Sequence, residues 1–386
     1  MQLSVIILNY NVHYFLELCV LSVQKAIQNL DAEIIVIDNN SSDDSCAMMK
    51  QRFPNIKLIE NKENSGFPKG NNTAVKQAKG EYICILNPDT VVAEDTFEKV
   101  LAFAQKQNDL GIVGCKLIDG TGNFLPESKR GIPTPWVAFT KIFGLYRLFP
   151  KSALFNKYYA QHLDENQTGK VDILVGAFMV MKRELYNELA GFDENCFMYA
   201  DDIDLSYRAL LLQKQNYYFH ETTVIHYKGE STVKDATYMK HFRDFLNFFY
   251  KKHFKQSLFF NLMARFGAFY FSTVKLFQGK TKTKIPPSEY ILVSDNESIR
   301  EKLENKFQKN IERANLENGK IVFSQSFSEK KNTEVILDTN FLGFAAAISF
   351  LETSKNKSFT FKLLPIQSNF IIGSNSSNDR GEVIQI

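Results

Sequence analysis

An apolar run that ends in an acidic turn is the clearest chemical feature of this sequence. The run Tyr82 to Leu86 has the composition of a buried strand, and Pro88 ends it. Asp89 then stands at the carboxyl end of the strand, where open α/β sheets bind their ligands. A carboxylate there can hold a divalent cation, Mg²⁺ or Mn²⁺, whose other ligands are phosphate oxygens and water. Asp89 is therefore a candidate metal ligand.

Acidic and imidazole side chains recur further along the chain. Asp201 and Asp202 begin a helical pattern, and neighbouring carboxylates compete for protons, so one of them can serve as a general base. A simple interaction with the helix dipole is the alternative for this pair. His226 ends an apolar strand, and its imidazole can complete the cation site that Asp89 begins. A structural histidine is the alternative there.

Residues suited to a nucleotide lie nearer the amino terminus. Asp38, with Asn39 beside it, ends an apolar run, and it can accept hydrogen bonds from a base or ribose or cap the next helix. In the segment Asn64–Asn72, Gly66 lets backbone approach a ligand and Lys69 can meet a phosphate, with an ordinary polar loop as the alternative. The segment has neither a Walker sequence nor a Gly-x-Gly-x-x-Gly fingerprint.

The elements that must position these residues alternate between strand and helix. Strands are predicted at Leu3–Leu8, Glu33–Asp38, Ile56–Glu60, Tyr82–Leu86, Gly111–Leu117, Val171–Lys182 and Tyr217–His226, and helices at Phe15–Ala26, up to Arg52, Lys69–Lys79, Asp95–Gln107 and Asp202–Gln213. This order predicts an α/β fold with a mostly parallel sheet flanked by helices. Asn123–Thr168 is irregular, which predicts a long loop that can close over a ligand as a lid.

Composition limits the cellular setting and the partners. The net charge of +3 and the scattered five cysteines favour a cytoplasmic protein with reduced thiols that does not bind nucleic acid. No signal peptide and no membrane span are predicted. Residues 240–284 differ, because they hold ten Lys/Arg, one acid and 11 of the 34 phenylalanines at helical spacing. This pattern predicts amphipathic helices for an anionic membrane surface, with packing on the catalytic domain or on a second subunit as the alternative.

The chain is predicted to have three parts. Residues 1–240 form the catalytic domain, 241–286 form the amphipathic basic segment with a linker, and 287–386 form a small α/β module. Strands of that module are predicted near Tyr290, Val335 and Phe370. It has no catalytic constellation, and a role in assembly or regulation and a role in packing both stay open.

Several motifs in order resemble one known family. They are Asn9-Tyr10-Asn11, Ile37-Asp38-Asn39, Asn64-x-Gly66-Phe67 with Asn72, Leu86-Asn87-Pro88-Asp89-Thr90, Gly176-Ala177, Gly191-Phe192-Asp193-Glu194, Asp201-Asp202-x-Asp204-Leu205 with Arg208, and His226. Over roughly residues 1–255 this pattern resembles the family 2 inverting glycosyltransferases with a GT-A fold, most closely their rhamnosyltransferase-like bacterial branch.

The resemblance implies a role for each matching residue. The nucleotide-sugar-binding residues would be Asn9, Tyr10, Asn11, Asp38, Asn39, Gly66, Phe67, Lys69, Asn72 and Asn87. Asp89 would be the metal-binding acid of an Asp-x-Asp-type motif, with Asn87 in place of the first acid, and His226 the late metal ligand. Asp201 and Asp202 would hold the acceptor-activating base, although position 201 is more often Glu in the family.

The implied function is metal-dependent inverting transfer of a sugar from a nucleotide-sugar donor to a saccharide acceptor, either lipid-linked or a cell-surface polysaccharide. The expected location is the cytoplasm, or the inner face of the cytoplasmic membrane as a peripheral protein, and a homo-oligomer stays open. The alternatives are a non-catalytic protein that binds nucleotide sugar or glycan, and a nucleotidyltransferase, which would generate or consume pyrophosphate.

Overall fold

The structure is a computed structural model. It describes residues 1–195, 201–228, 248–254, 286–317, 320–322, 332–355, 357, 359–375 and 381–386. The amino-terminal strands are β1 Leu3–Asn9, β2 Ala32–Asp38, β3 Lys57–Glu60, β4 Tyr82–Leu86, β5 Thr90–Val91, β6 Leu110–Ile118, β7 Gly169–Val171, β8 Phe178–Lys182 and β9 Gln215–His226. The helices are α1 His13–Ala26, α2 Ser45–Arg52, α3 Gly66–Val75, α4 Thr96–Ala104, α5 Pro135–Ile142, α6 Leu145–Leu148, α7 Arg183–Glu188 and α8 Asp201–Leu211.

The amino-terminal strands form one sheet that is mainly parallel. Its order is β3-β2-β1-β4-β8-β6-β9-β5, with β7 paired to β9. Strands β1 to β4, β6 and β9 run in one direction, and β5, β7 and β8 run in the other. The chain leaves β1 toward β2 and β3 and returns to β4 on the other side of β1, so the strand order reverses there. Such a reversal opens a crevice at the carboxyl ends of the strands. The α/β fold class predicted from the sequence is confirmed.

Helices cover both faces of this sheet because the strands alternate their side chains between two cores. In β1, Val5 and Ile7 enter the core beneath α1, α2 and α4, whereas Ile6 and Leu8 enter the opposite core beneath α3, α7 and α8. Strand burial on both faces matches the continuous apolar runs of the sequence.

Two predicted elements differ from the observed ones. The predicted strand Val171–Lys182 is divided, because residues 172–177 leave the sheet between β7 and β8. In that stretch Gly176 lies against Asp202, and its N–H donates to the Asp202 carboxylate at 3.0 Å. Residues 123–168, predicted to be irregular, contain the short helices α5 and α6.

The carboxyl-terminal residues form a second, smaller α/β sheet. Its elements are β10 Glu289–Val293, α9 Glu297–Phe307, β11 Ile311–Arg313, β12 Asn315–Glu317, β13 Lys320–Val322, β14 Thr333–Asp338, α10 Thr339–Leu342, α11 Phe344–Thr353, β15 Phe359–Leu364, β16 Phe370–Gly373 and β17 Glu382–Gln385. The sheet order is β11-β10-β14-β15-β16-β17, and β12 and β13 form a separate pair. The three strands predicted from the sequence are β10, β14 and β16.

The second sheet shares a hydrophobic core with the first. Phe344, Leu351 and Phe370 belong to the same buried cluster as Val5 and Phe97. The Glu94 carboxylate accepts hydrogen bonds at 2.6 and 2.7 Å from the backbone N–H groups of the first two residues of α11. These contacts anchor the carboxyl-terminal module to the α1 and α4 side of the first sheet. The three-part division of the chain remains a prediction.

Only residues 248–254 of the predicted amphipathic segment lie in the described ranges, and they are largely helical. Phe249 and Tyr250 are buried there beside Ile173 and Ile203, so this short stretch packs on the catalytic domain. The rest of the segment, on which the sequence-based membrane prediction mainly depends, lies outside the described residues. None of the helices in the described ranges has an apolar stretch long enough to cross a bilayer.

Candidate active site

Strand pairing brings together the two residues predicted to hold a metal ion. Strand β5 is antiparallel to β9, with Thr90 opposite His226, and Tyr227 N–H donates to the Asp89 carbonyl oxygen at 3.0 Å. The His226 Nε2 atom consequently lies 3.4 Å from Asp89 Oδ1. Both side chains are buried, so the backbone register fixes a carboxylate and an imidazole side by side at the carboxyl edge of the sheet.

The residues present fit a divalent cation. The separation of Asp89 and His226 is close to that of two neighbouring ligands around one cation with bonds of about 2.1 Å. The buried Nδ1 atom of His226 has no hydrogen-bond partner among the described residues, and the Asn87 amide lies 3.3 Å from Nε2. The described residues contain no group of three or more His, Cys, Asp or Glu suited to a metal. Within the described part of the chain, Asp89 and His226 would be the protein ligands, and phosphate or water would supply others, as is common for Mg²⁺.

Helix α1 contacts the turn that carries Asp89 through the side chain of Cys19. The Thr90 hydroxyl donates to the Asn87 carbonyl oxygen at 2.7 Å, and Cys19 Sγ lies 3.6 Å from both groups. Burial raises the pKa of the Cys19 thiol to about 12, so it stays protonated and can donate. These contacts fix the backbone between β4 and β5.

Asp202, the predicted base, lies next to this turn. Its Oδ2 atom accepts from Arg130 at 2.6 Å and from Gly176 N–H at 3.0 Å. The following residue of that loop, Ala177, accepts a hydrogen bond at 3.0 Å from Asn87 N–H. A chain of direct contacts thus connects the candidate base to the candidate metal turn.

A second ion pair extends the network around Asp202. Glu127 pairs with Lys228, two residues beyond His226. Burial favours a higher pKa for Glu127, but Lys228 and, more weakly, His226 outweigh it and hold that pKa below its ordinary value. Burial likewise acts to lower the pKa of Arg130, yet Asp202 outweighs it and the pKa is raised. The two pairs connect the segment after β6 to α8 and to the residues after β9.

Asp201 begins α8 immediately before Asp202 and is buried. The structure therefore places both acids of the pair at the first turn of one helix, where the partial positive charge of the helix terminus stabilises them. The next acid, Asp204, is also buried, and it is paired with Arg208 and with Lys252 and His253 of the 248–254 stretch.

A polar pocket wall forms where β1 and β2 end. The Asn9 amide donates to Asp38 Oδ1 at 2.7 Å, and the Ser41 N–H and hydroxyl donate to the same carboxylate at 2.8 and 2.6 Å. Asn11 N–H donates to the Ser41 hydroxyl at 2.9 Å. Asp38 is thus an ordered, buried hydrogen-bond acceptor, and Tyr10 is half-buried beside this wall.

The predicted phosphate loop lies beside this wall. The Asn39 amide donates to the Gly66 carbonyl oxygen at 3.1 Å, and Gly66 adopts a φ of 79°, which favours glycine. A Cβ atom on Gly70 would overlap the side chain of Leu8, so α3 approaches the sheet closely. Lys69 has 53% of its side chain exposed, and its one ion pair among the described residues is with Glu63 at 3.6 Å. It is available to a phosphate.

Asn72 and Phe67 have structural partners. The Asn72 side chain donates to the Phe192 carbonyl oxygen and to Glu194, both at 2.9 Å, and accepts from Tyr186 at 2.6 Å. The amide therefore ties α3 to the Gly191–Glu194 turn. The Phe67 ring packs edge-on against Phe192 with centroids 5.5 Å apart. The predicted donor contacts of both residues remain predictions.

The sequence did not identify Glu127, Arg130 or Lys228 as site residues. Glu127 and Arg130 belong to the irregular segment, whose residues show no periodicity that would assign them to a face. Their contacts to Lys228 and Asp202 span 101 and 72 positions of the chain. Lys228 lies beyond the end of β9 with a φ of 64°, so strand periodicity gave no signal for it.

Comparison with known proteins identifies relatives along the first part of the chain. Residues 4–190 match the model of the family described as "Glycosyl transferase family 2". An N-acetylglucosaminyl-diphospho-decaprenol L-rhamnosyltransferase of Mycobacterium tuberculosis is 24% identical over 213 residues, which are 52% of this chain and 68% of that protein. The minor teichoic acid biosynthesis protein GgaB of Bacillus subtilis is 26% identical over 60% of this chain and 24% of its own length.

Solved structures include similar chains at low sequence identity. A mannosyltransferase from Pyrobaculum calidifontis, in complex with GDP-Man and Mn²⁺, is 17% identical with a TM-score of 0.48, covering 72% of this chain and 76% of that one. Staphylococcus aureus TarS, residues 1–349, is 17% identical with a TM-score of 0.44, covering 73% and 76%. The resemblance seen in the sequence motifs is confirmed by the family match. Residues 4–190 of this chain are thus similar to glycosyl transferase family 2.

Proposed function

We propose that this glycosyltransferase is a metal-dependent inverting enzyme that moves a sugar from a nucleotide-sugar donor to a saccharide acceptor. The observation that carries the proposal is the β5–β9 register, which holds Asp89 Oδ1 and His226 Nε2 3.4 Å apart at the carboxyl edge of the sheet. A carboxylate and an imidazole at that edge, next to an ordered second carboxylate, form a site for a diphosphate with its cation and for a proton acceptor.

The donor would bind across the ends of β1, β2 and β4. Asp38, held by Asn9 and Ser41, would accept hydrogen bonds from the base or ribose. Lys69 would approach the diphosphate from the first turn of α3, where the helix N-terminus also favours an anion. When bound, a divalent cation would offset the negative charge of the leaving nucleoside diphosphate.

The proton transfer would belong to Asp202. Its Oδ2 atom is oriented by Arg130 and Gly176, and its Oδ1 accepts from its own helix at Ile203 N–H. Arg130 holds the carboxylate in one position. An acceptor hydroxyl that donates to Asp202 would be activated for attack on the anomeric carbon from the face opposite the diphosphate. A single displacement of this kind inverts the anomeric configuration.

The acceptor class follows from the relatives. The similar Mycobacterium protein is named for a sugar carried on diphospho-decaprenol, and the similar Bacillus protein is named for teichoic acid biosynthesis. The proposed acceptor is accordingly a lipid-linked saccharide or a cell-surface polysaccharide, reached from the cytoplasmic face of the membrane by a peripheral enzyme.

The function is tested with a panel of sugar nucleotides offered to the full chain. Free nucleoside diphosphate should appear with one donor class in the presence of Mn²⁺ or Mg²⁺, and EDTA should abolish its release. The anomeric configuration of the product, read by NMR coupling constants, should be inverted. Release of pyrophosphate would instead identify a nucleotidyltransferase, and donor binding without release of nucleoside diphosphate would indicate a non-catalytic binding protein.

A further inference from the structure

An aromatic surface stands out from the described part of the catalytic domain at residues 135–157. Trp136, Leu148, Phe149 and Leu154 are 41%, 69%, 50% and 58% exposed. Isolated apolar side chains on a surface are ordinary, but a contiguous group of large ones marks an interaction site. We name this group, with the α5–α6 segment that bears it, the 135–157 surface.

Ring contacts join these side chains into one cluster. Trp136 lies 5.5 Å from Phe139 and 5.9 Å from Phe155, measured between ring centroids. Phe155 in turn lies 5.2 Å from Phe149, and Phe139 lies 4.4 Å from Phe143. The half-buried rings of Phe139 and Phe155 thus join the exposed Trp136 and Phe149 into one apolar cluster.

The charge of this surface has one sign. Residues 135–157 contain Lys141, Arg147, Lys151 and Lys157 and contain neither Asp nor Glu. Arg147, Lys151 and Lys157 are exposed beside the apolar side chains. Rings that enter the acyl boundary, with a tryptophan among them and basic groups that meet headgroups, are the composition of an interfacial membrane contact.

Both ends of the surface are tied to the candidate active site. Arg130, which donates to Asp202, lies just before α5, and Gly131 N–H donates to the Lys157 carbonyl oxygen at 3.0 Å. The 135–157 surface also borders a cavity of about 170 Å³, which is lined by Ile132, Thr134, Trp136, Val137, Leu154, Lys157 and Asp172. Residues 130 and 131 therefore connect the 135–157 surface directly to the candidate base.

We propose that the 135–157 surface docks on an anionic lipid bilayer and so presents the active site to a saccharide carried by a membrane lipid. The lipid-linked acceptor rests on the proposed function; the bilayer contact does not. This surface is separate in sequence from the basic segment at residues 240–284, for which the sequence alone predicts membrane contact.

Trp136 gives the direct test because it is the one tryptophan of the chain. The full chain is mixed with vesicles of phosphatidylglycerol and phosphatidylcholine, or of phosphatidylcholine alone. Trp136 emission should shift to the blue with anionic vesicles only, brominated lipids should quench it, and added salt should reverse the shift. An unchanged emission spectrum with bound vesicles would assign docking to another part of the chain and overturn the proposal. A shift that depends on protein concentration without vesicles would indicate a contact between two copies, which also overturns it.

Matched variants distinguish vesicle binding through the 135–157 surface from nonspecific vesicle binding. Lys151→Glu should lower the vesicle partition coefficient at least about fivefold, since each near-surface basic residue contributes roughly that factor. The double change Leu148→Ser with Phe149→Ser should lower it further. Lys106→Glu and Leu211→Ser, on exposed residues elsewhere in the chain, should leave it unchanged. Equal losses in the test and control variants would contradict the assignment.

The vesicle assay needs no turnover, so its outcome is independent of the proposed reaction. Nucleoside diphosphate release without vesicle binding would remove only the docking surface. Vesicle binding without sugar transfer would leave the surface and remove only the proposed function.

Discussion

Asp89 and His226 show what the residue types in a sequence can predict. Each was identified from its place at the end of an apolar strand, and the structure brings the two together at 3.4 Å. The 137 positions that separate them are bridged by the antiparallel pairing of β5 with β9, which no local pattern encodes. Arg130 illustrates the opposite case. Its role as the partner of Asp202 depends on an aperiodic segment and could not be predicted from the sequence.

Single substitutions of Asp89 and His226 test whether the two residues bind a metal ion. Asp89→Asn and His226→Ala should each raise the Mn²⁺ concentration needed to stabilise the donor complex at least about tenfold, because each removes one of the two protein ligands. The measurement is a Mn²⁺ titration of the thermal unfolding midpoint at fixed nucleotide sugar, in which a ligand of the native state raises the midpoint. Asp95→Asn, on an exposed carboxylate, is the control. A Mn²⁺ response in both variants equal to that of the unchanged chain would remove these residues from the metal site.

Helix α8 bears both the candidate base and a buried ion network. Asp204 is fully buried, and Arg208, Lys252 and His253 contact its carboxylate at 2.7, 2.9 and 2.7 Å. Burial acts to raise the pKa of Asp204, but Arg208, His253 and Lys252 outweigh it and lower that pKa below its ordinary value. The network attaches the 248–254 stretch to α8 and so stabilises the helix on which Asp202 lies.

Asp204→Asn should lower the free energy of unfolding by about 3 kcal/mol at neutral pH, because it removes the buried carboxylate that pairs with Arg208 and Lys252. A carboxyl group whose pKa is lowered by folding contributes stability above its ordinary pKa and loses that contribution as the pH falls through the folded value. The difference between variant and unchanged chain should therefore shrink below about pH 4. Urea denaturation at several pH values measures it.

A surface pair of the same spacing provides the comparison. Asp95 and Lys99 are also i,i+4 partners, at 2.7 Å, but both are exposed. Asp95→Asn should change the free energy of unfolding by less than about 1 kcal/mol. If Asp95→Asn and Asp204→Asn had equal effects, the buried network would not stabilise α8.

At this scale the sequence predicted the first sheet well and its connections poorly. Strand β4 and helix α1 follow clear apolar periodicity, and the structure has them within two residues of the prediction. The break between β7 and β8 could not be seen, because residues 173–175 are apolar like a strand, yet the loop is held by tertiary contacts such as the Gly176 N–H bond to Asp202. Phe249 could not be assigned either, since an aromatic residue on an amphipathic helix suits a protein core as well as a membrane.

The carboxyl-terminal module packs directly on the first sheet, whereas a domain joined only by a linker would not. The shared core, the Glu94 contact with α11 and a pairing of Lys116 with Glu352 at 2.6 Å all join it to the first sheet. Glu94 follows β5, the strand next to Asp89, and Glu352 also accepts from Thr223 of β9 at 3.2 Å. The module therefore supports the two strands that carry the candidate metal ligands. The sequence showed its α/β pattern but no sign of this attachment.

Two glycines with positive φ can test how closely the carboxyl-terminal module packs on the first sheet. Gly122 has a φ of 81° and its added Cβ would overlap the Leu351 carbonyl group of α11, whereas Gly144 has a φ of 71° with nothing within 4 Å. Both alanine variants carry the backbone penalty, but only Gly122→Ala must also displace the module. Gly122→Ala should therefore lower the free energy of unfolding by about 1–3 kcal/mol more than Gly144→Ala. Equal losses in thermal or urea unfolding would show that the module is not packed against the Gly122 turn.

The rate of nucleoside diphosphate release by Asp202→Asn tests the central claim most directly. With a donor identified from the panel and a saturating acceptor, the variant should turn over at least about a hundredfold more slowly, because the general base is lost. Its affinity for the donor should be nearly unchanged, and Asp201→Asn should retain more activity. Turnover by Asp202→Asn equal to that of the unchanged chain, or a greater loss in Asp201→Asn, would contradict the assignment of Asp202 as the base.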